Sequence, residues 1–77
     1  IVRSRRIGPR AGFENLFFKL ETANPCGSFK DRFGAAAISH MVAGDQSHCI
    51  ATSSGNTGAA LAAYTAAADI QCRIAIV

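Results

Sequence analysis

The sequence predicts an α/β fold with three layers, in which helices cover a parallel sheet. Short apolar runs alternate with longer segments of helical periodicity, and polar loops that contain glycine separate them. Cys49 and Cys72 each open one of two successive apolar runs, as equivalent positions in repeated βα units would. From residue 16 onward the predicted order is β-α-β-α-β, which is typical of strands joined by helical crossovers.

The first predicted strand covers residues 16–20, an apolar run that follows a turn-like Glu-Asn pair. Residues 21–27 contain asparagine, proline and glycine and are predicted to form a loop, after which the Ser28 hydroxyl can cap a helix. Apolar residues at helical spacing predict that helix over residues 31–42, with an acid, Asp31, in the first turn where it suits the helix dipole.

The second half repeats this pattern. Residues 49–51 are a short apolar run that predicts a strand, and the polar loop 52–58 follows. Residues 56–68 are rich in alanine, the best helix former, and predict a helix that can lie close to its neighbours. Residues 72–77 are rich in β-branched side chains and predict the last strand.

Length and composition limit what the chain can form. Seventy-seven residues make at most one small domain, and a chain of this size buries only about 60% of its unfolded surface. The sequence starts on Ile1 and stops in an apolar run, so we expect a single partial domain of a longer protein, with residues 1–15 as a loop or edge segment and 16–77 as β-α-β-α-β. A hydrophobic content of 49% argues against disorder, and no apolar run approaches the length of a membrane span.

The net charge of +3 comes largely from four arginines within the first ten residues. An arginine cluster can bind nucleic acid, but no aromatic platform, zinc-ligand pattern or helix-turn-helix spacing accompanies it. We therefore favour a solvated segment and predict no nucleic-acid partner.

The three cysteines include no Cys-x-x-Cys pair, so neither a disulfide framework nor a zinc site is predicted. His40 and His48 have no partners at ligand spacing, and no metal site is expected. Free thiols suit a reducing compartment, which favours a cytoplasmic location. The lack of a long apolar run predicts no membrane partner.

Lys30 is the strongest catalytic candidate because it lies where a glycine-containing turn enters a helix. A lysine amine becomes a nucleophile only when it loses its proton, and the positive end of a helix dipole disfavours the charged form. Most lysines at a helix start are simply exposed, and that reading is the alternative. An aldehyde cofactor would explain a lysine at this unfavourable place.

The second polar loop contains Ser53, Ser54, Asn56 and Thr57 and opens the second helix. Free backbone N–H groups at a helix start bind carboxylates and phosphates. A plain capping loop explains the same residues about equally well. Lys30 and this loop could face one ligand.

Two motifs resemble those of the fold type II pyridoxal-phosphate enzymes. The run Asn-Pro-Cys-Gly-Ser-Phe-Lys-Asp-Arg at residues 24–32 is similar to the segment that carries the cofactor lysine, and Ser-Ser-Gly-Asn-Thr-Gly at residues 53–58 is similar to the asparagine loop. The resemblance covers residues 16–77 and implies pyridoxal 5'-phosphate as the cofactor.

The resemblance also implies roles for individual residues. Lys30 would form the Schiff base with the cofactor and then shuttle protons, and Asn56 would bond to the cofactor ring hydroxyl. Ser54 and Thr57, with the loop amides, would hold the substrate carboxylate in a substrate-binding loop made of Ser53, Ser54, Gly55, Asn56 and Thr57. The phosphate-binding loop would lie beyond Val77, so we expect the 77-residue piece alone to be inactive.

Within this family the motif at residues 24–32 is most similar to the threonine synthase branch, whose members convert O-phosphohomoserine and water to threonine and phosphate. Cys26 and Phe33 depart from that branch, and the asparagine loop also fits cysteine synthase. Cysteine synthase-like β-replacement and threonine or serine dehydration remain alternatives, as does a non-catalytic ligand-binding module. We expect the full-length enzyme, a lyase of amino-acid biosynthesis, to be a homodimer.

Overall fold

The computed structural model describes all 77 residues, in four strands and three helices. In chain order they are β1 (Val2–Arg3), α1 (Ile7–Arg10), β2 (Phe17–Phe18), α2 (Lys30–Ala43), β3 (His48–Thr52), α3 (Asn56–Ala67) and β4 (Gln71–Ala75). One turn of 3-10 helix, Glu21–Ala23, lies between β2 and α2. The two long helices and the last two strands lie within two residues of their predicted bounds.

β3 and β4 form a parallel sheet, and α3 is the crossover between them. Cys49 and Cys72 are direct partners in the register of this sheet. The α/β class with a parallel sheet is therefore confirmed, and the two cysteines do occupy equivalent positions in successive βα units.

The first predicted strand differs from the expectation. It is two residues long rather than five, and it pairs antiparallel with β1 instead of joining the parallel sheet. Arg3 strengthens this pairing, because its guanidinium donates to the Glu14 carbonyl oxygen at 2.9 Å. Residues 1–15, expected to be a loop or edge segment, therefore contain both an edge strand and the short helix α1.

Both long helices lie on one face of the parallel sheet. Ile38 from α2, Leu61 from α3 and Ile70 form the buried centre, and Cys49, Ala51 and Ile74 of the sheet pack against it. The opposite face is exposed, with Ile50 81% accessible. Two of the three predicted layers are thus present, and the third layer stays a prediction.

The molecule is elongated. Its radius of gyration is 16.8 Å, whereas a compact domain of 77 residues would have about 11 Å. The β1–β2 pair packs against neither the parallel sheet nor its helices, which accounts for the extended shape. Large apolar side chains on this N-terminal part stay exposed, among them Ile7, Phe13 and Phe17.

Candidate active site

The two loops singled out from the sequence lie at the same end of the α2–α3 pair. A Cβ built on Gly34 would lie 3.4 Å from the Ala60 Cβ, so these positions are where the helices touch near their beginnings. The last turns of both helices line one groove, and the helices therefore run parallel. Lys30 and Asn56 each precede the contact by about one turn, or about 6 Å of helix rise.

Lys30 is the first residue of α2 and is half-buried. Its backbone N–H donates to the Ser28 hydroxyl at 3.2 Å, which confirms that Ser28 supports the helix start. Its amine lies 4.8 Å from the centre of the exposed Phe29 ring, within the range of a cation–π contact. The amine thus lies over the neighbouring Phe29 ring at the start of the helix.

The turn before Lys30 needs its glycine. Gly27 has a φ of +77°, a left-handed conformation that side-chain-bearing residues rarely adopt. Its N–H donates to the Asn24 carbonyl oxygen at 2.8 Å, and the Asn24 amide donates to the Ser28 carbonyl oxygen at 3.1 Å. These bonds define how the chain enters α2.

The Glu21 side chain bridges the turn before α2 and the first turn of α2. Its carboxylate accepts from the Asn24 amide at 2.6 Å and from the Arg32 Nε at 2.8 Å. The hydrogen bonds from Asn24 and then Arg32 hold the pKa of Glu21 below its ordinary value of 4.5. The sequence offered no signal for this bridge, because it depends on the path of the turn between distant residues.

The Ser53 hydroxyl is engaged within its own loop. It accepts hydrogen bonds from the Gly58 N–H at 2.9 Å and from the Gly55 N–H at 3.2 Å. The Ser53 N–H in turn donates to the Ala75 carbonyl oxygen at 3.0 Å, which fastens the loop to β4. A Cβ on Gly58 would approach this hydroxyl to 3.2 Å, so the glycine lets the cap form.

The rest of the loop is open. Ser54, Gly55 and Asn56 are exposed and Thr57 is half-buried. The backbone N–H groups of Asn56 and Thr57 have no acceptor in the chain, as expected for the first turn of a helix. Such groups bind anions.

These groups fit pyridoxal phosphate with an amino-acid substrate. A lysine amine can bond to the cofactor aldehyde, and an exposed carboxamide can bond to the ring hydroxyl. The free amides at the start of α3 suit a substrate carboxylate. Lys30 would supply the first group, Asn56 the second, and the 53–58 loop the third.

Asp31 has a larger role in the structure than its predicted one. Its side chain is only 3% exposed, and its Oδ2 accepts a hydrogen bond from the Cys26 N–H at 2.7 Å. Hydrogen bonding to the Asp31 carboxylate is the first cause that raises the pKa of the Cys26 thiol, and burial is the second. Tyr64 and Asp31 line one surface pocket. Burial, followed by the charge of Asp31, raises the pKa of the Tyr64 hydroxyl. The sequence placed an acid in the first turn but could not show that it is buried near Tyr64 of α3.

No three His, Cys, Asp or Glu side chains of the chain lie close enough together to hold a metal ion. None of its helices has the length and apolar character needed to cross a membrane.

Comparison with known proteins places the chain among enzymes of one cofactor class. A family described as pyridoxal-phosphate dependent enzyme matches residues 1–77. Threonine synthase from Mycobacterium leprae is 37% identical over 76 residues, which is 99% of this chain and 21% of that enzyme. Threonine synthase from Mycobacterium bovis is 43% identical over 61 residues, which is 79% of this chain and 17% of that enzyme.

A second kind of relative is also similar. The 2-amino-4-ketopentanoate thiolase beta subunit of Acetoanaerobium sticklandii is 44% identical over 59 residues, covering 77% of this chain and 13% of the subunit. No solved structure matches significantly. The chain spans about a fifth of the length of the threonine synthases it matches. Because the family match extends over every residue, the chain belongs to the pyridoxal-phosphate dependent enzyme family.

Proposed function

We propose that the full-length protein is a threonine synthase-like lyase of amino-acid biosynthesis, which converts O-phosphohomoserine and water to threonine and phosphate. The observation that carries this proposal is the position of Lys30 at the start of α2, at the same end of the helix pair as the Asn56 loop. The similarity to threonine synthases, which extends over 99% of the chain in one case, supports the choice of substrate.

Each site residue has a role that suits its surroundings. Lys30 would hold the cofactor through its amine and move a proton to or from the substrate carbon. The residue is half-buried, and its amine lies next to the ring of Phe29. The exposed Asn56 carboxamide orients the cofactor ring through its hydroxyl. When bound, the cofactor supplies an electron sink for the bond that breaks.

The substrate carboxylate binds to the loop that opens α3. Its ligands are the Ser54 and Thr57 hydroxyls and the free N–H groups of Asn56 and Thr57. Ser53 and Gly55 shape this loop, because the Ser53 hydroxyl already accepts two backbone hydrogen bonds. The loop thus holds the anionic group while Lys30 acts on the neighbouring carbon.

The test of the cofactor assignment is covalent capture in the full-length protein. Borohydride reduction after loading with pyridoxal phosphate should add the cofactor's mass to the peptide that contains Lys30. Lys30→Ala should abolish this labelling and the visible absorbance of the bound cofactor. Lys19→Ala, which removes another lysine of the same chain, is the matched control and should leave both unchanged. Labelling that survives Lys30→Ala contradicts the assignment, because a different amine must then carry the cofactor. Carboxylate or phosphate binding that survives Lys30→Ala in a protein that shows no labelling favours a non-catalytic ligand-binding module.

Product assays decide the substrate. Phosphate release from O-phosphohomoserine is expected, whereas turnover of O-acetylserine would favour a cysteine synthase-like activity and turnover of threonine or serine a dehydratase. The similarity to thiolase beta subunits makes 2-amino-4-ketopentanoate a further substrate to include. An enzyme that leaves O-phosphohomoserine intact and consumes one of the others refutes the threonine synthase proposal.

We also infer that the full-length enzyme works in the cytoplasm as a homodimer without a nucleic-acid partner. Three free cysteines suit a reducing compartment. Exposed apolar side chains such as Phe13 and Phe17 need a covering surface from the longer chain or from a second copy. Light scattering of the purified full-length protein measures the oligomeric state, and a monomeric mass contradicts the dimer.

A further inference from the structure

Asp31 is the only Asp or Glu of the chain whose side chain is almost completely buried. One of its two carboxylate oxygens has no hydrogen-bond partner. Its Oδ2 accepts the Cys26 N–H at 2.7 Å, whereas its Oδ1 is buried without a hydrogen bond. Burying a carboxylate oxygen without a partner costs free energy, so such a residue needs a reason to be there. An apolar or small residue at this place would avoid that cost.

The bond that Asp31 does make crosses the turn before Lys30. It joins the first turn of α2 to the backbone five residues earlier, at Cys26. Gly27, which follows Cys26, has the left-handed conformation that reverses the chain, and the Ser28 hydroxyl then accepts the Lys30 N–H. The hydrogen bond from the Cys26 N–H to the Asp31 carboxylate therefore joins the two ends of this turn.

Asp31 lies near Tyr64 of α3, the other long helix. Gly34, in the next turn of α2, lies so close to α3 that a Cβ would come within 3.1 Å of the Tyr64 ring. Tyr64 and Asp31 line the same cavity at the seam between the helices. The carboxylate thus joins the part of α2 that packs closely against α3 to the turn that carries Lys30.

We propose that Asp31 is a positioning residue: by accepting the Cys26 N–H it fixes the turn at residues 26–29 and so the direction in which the Lys30 amine meets the cofactor. This inference rests on the proposed role of Lys30 in cofactor attachment. In this proposal the hydrogen bond of Asp31, and not its charge, controls the rate at which the cofactor attaches to Lys30.

The experiment measures cofactor capture by the full-length apoprotein. The rate of uptake of pyridoxal phosphate is followed by absorbance, and borohydride reduction with peptide mass analysis measures the fraction attached to Lys30. Asp31→Ala removes the acceptor and should slow attachment about tenfold or more, since a hydrogen bond to a charged group is lost. Asp31→Asn keeps a carbonyl oxygen for the Cys26 N–H and should stay within about threefold of the unmodified protein.

Asp45→Asn is the matched control, because Asp45 is an exposed acid just beyond the other end of α2. It should leave the rate unchanged. Hydrogen exchange in the unmodified protein supplies a measurement that needs no variant: the Cys26 amide should exchange more slowly than the Ser54 amide, which is exposed and has no acceptor in the chain.

The outcomes separate this inference from the proposed function. Unmodified protein that attaches no cofactor contradicts the proposed function. If it does attach the cofactor, a folded Asp31→Ala variant with an unchanged rate overturns only the role of Asp31. An Asp31→Asn variant as slow as Asp31→Ala also overturns the inference, because the charge would then be what matters. Should Asp31→Ala fail to fold, rapid exchange of the Cys26 amide overturns it.

Discussion

Replacing Ser53 by alanine separates the structural role of this hydroxyl from a role in binding substrate. The hydroxyl accepts the Gly58 N–H at 2.9 Å and the Gly55 N–H at 3.2 Å. Ser53→Ala leaves both donors without their acceptor. Losing a cap of this kind costs about 0.5–2 kcal/mol, and two lost bonds place the expected decrease in the free energy of unfolding at about 1–2 kcal/mol.

Urea unfolding of the full-length apoprotein measures this decrease as a lower midpoint at an unchanged m-value. Ser54→Ala is the matched control, because the Ser54 side chain is exposed and makes no hydrogen bond within the chain. Its free energy of unfolding should change by less than about 0.5 kcal/mol. Its KM for substrate should rise, since the proposed carboxylate contact is lost. Equal stability of the two variants, or a more stable Ser53→Ala protein, refutes the assignment of Ser53 as the cap.

Two further predictions concern packing and pH. Gly34→Val should lower the free energy of unfolding by about 1–3 kcal/mol through overpacking against α3. Gly44→Ala should not lower it, because a Cβ at residue 44 meets nothing closer than 3.6 Å. Similar melting temperatures of the two variants would contradict this prediction. Hydrogen bonds from Asn24 and then Arg32 lower the pKa of Glu21, so its stabilising contribution is present above the ordinary pKa of 4.5 and is lost as the pH falls through the lowered value. Glu21→Gln should therefore destabilise the protein at pH 7, with a difference that shrinks on acidification below 4.5; a difference that grows there refutes the linkage.

Local pattern in the sequence was enough to predict the two long helices, the last two strands and the parallel pairing. Apolar periodicity and helix-start signals act over a few residues, so they can be read without knowing the fold. The same local signals singled out Lys30 and the 53–58 loop as candidate site residues. The start of α2 was predicted one residue late, because the backbone bond from Lys30 to Ser28 depends on side-chain geometry.

The first strand shows where local pattern fails. Its apolar run is typical of a buried strand, yet Phe17–Phe18 pairs with β1 away from the parallel sheet. The pairing partner of a strand is a long-range choice, and hydrophobicity along one segment does not specify it. The connection between residues 1–3 and residues 17–18 therefore came only from the structure.

The amino-acid pattern alone was enough to select the candidate residues: a lysine at a helix start, a polar loop at the next helix start, and the motifs that carry the family resemblance. Which of those side chains have hydrogen-bond partners within the chain, and which are exposed, came from the packing of distant segments. This packing engages the Ser53 hydroxyl in a cap, leaves Asn56 exposed, and buries Asp31 where it can hold the turn before Lys30. The physical reason is that burial and hydrogen-bond partners arise from contacts between distant segments, here the close approach of α2 and α3 at Gly34, which no local pattern specifies.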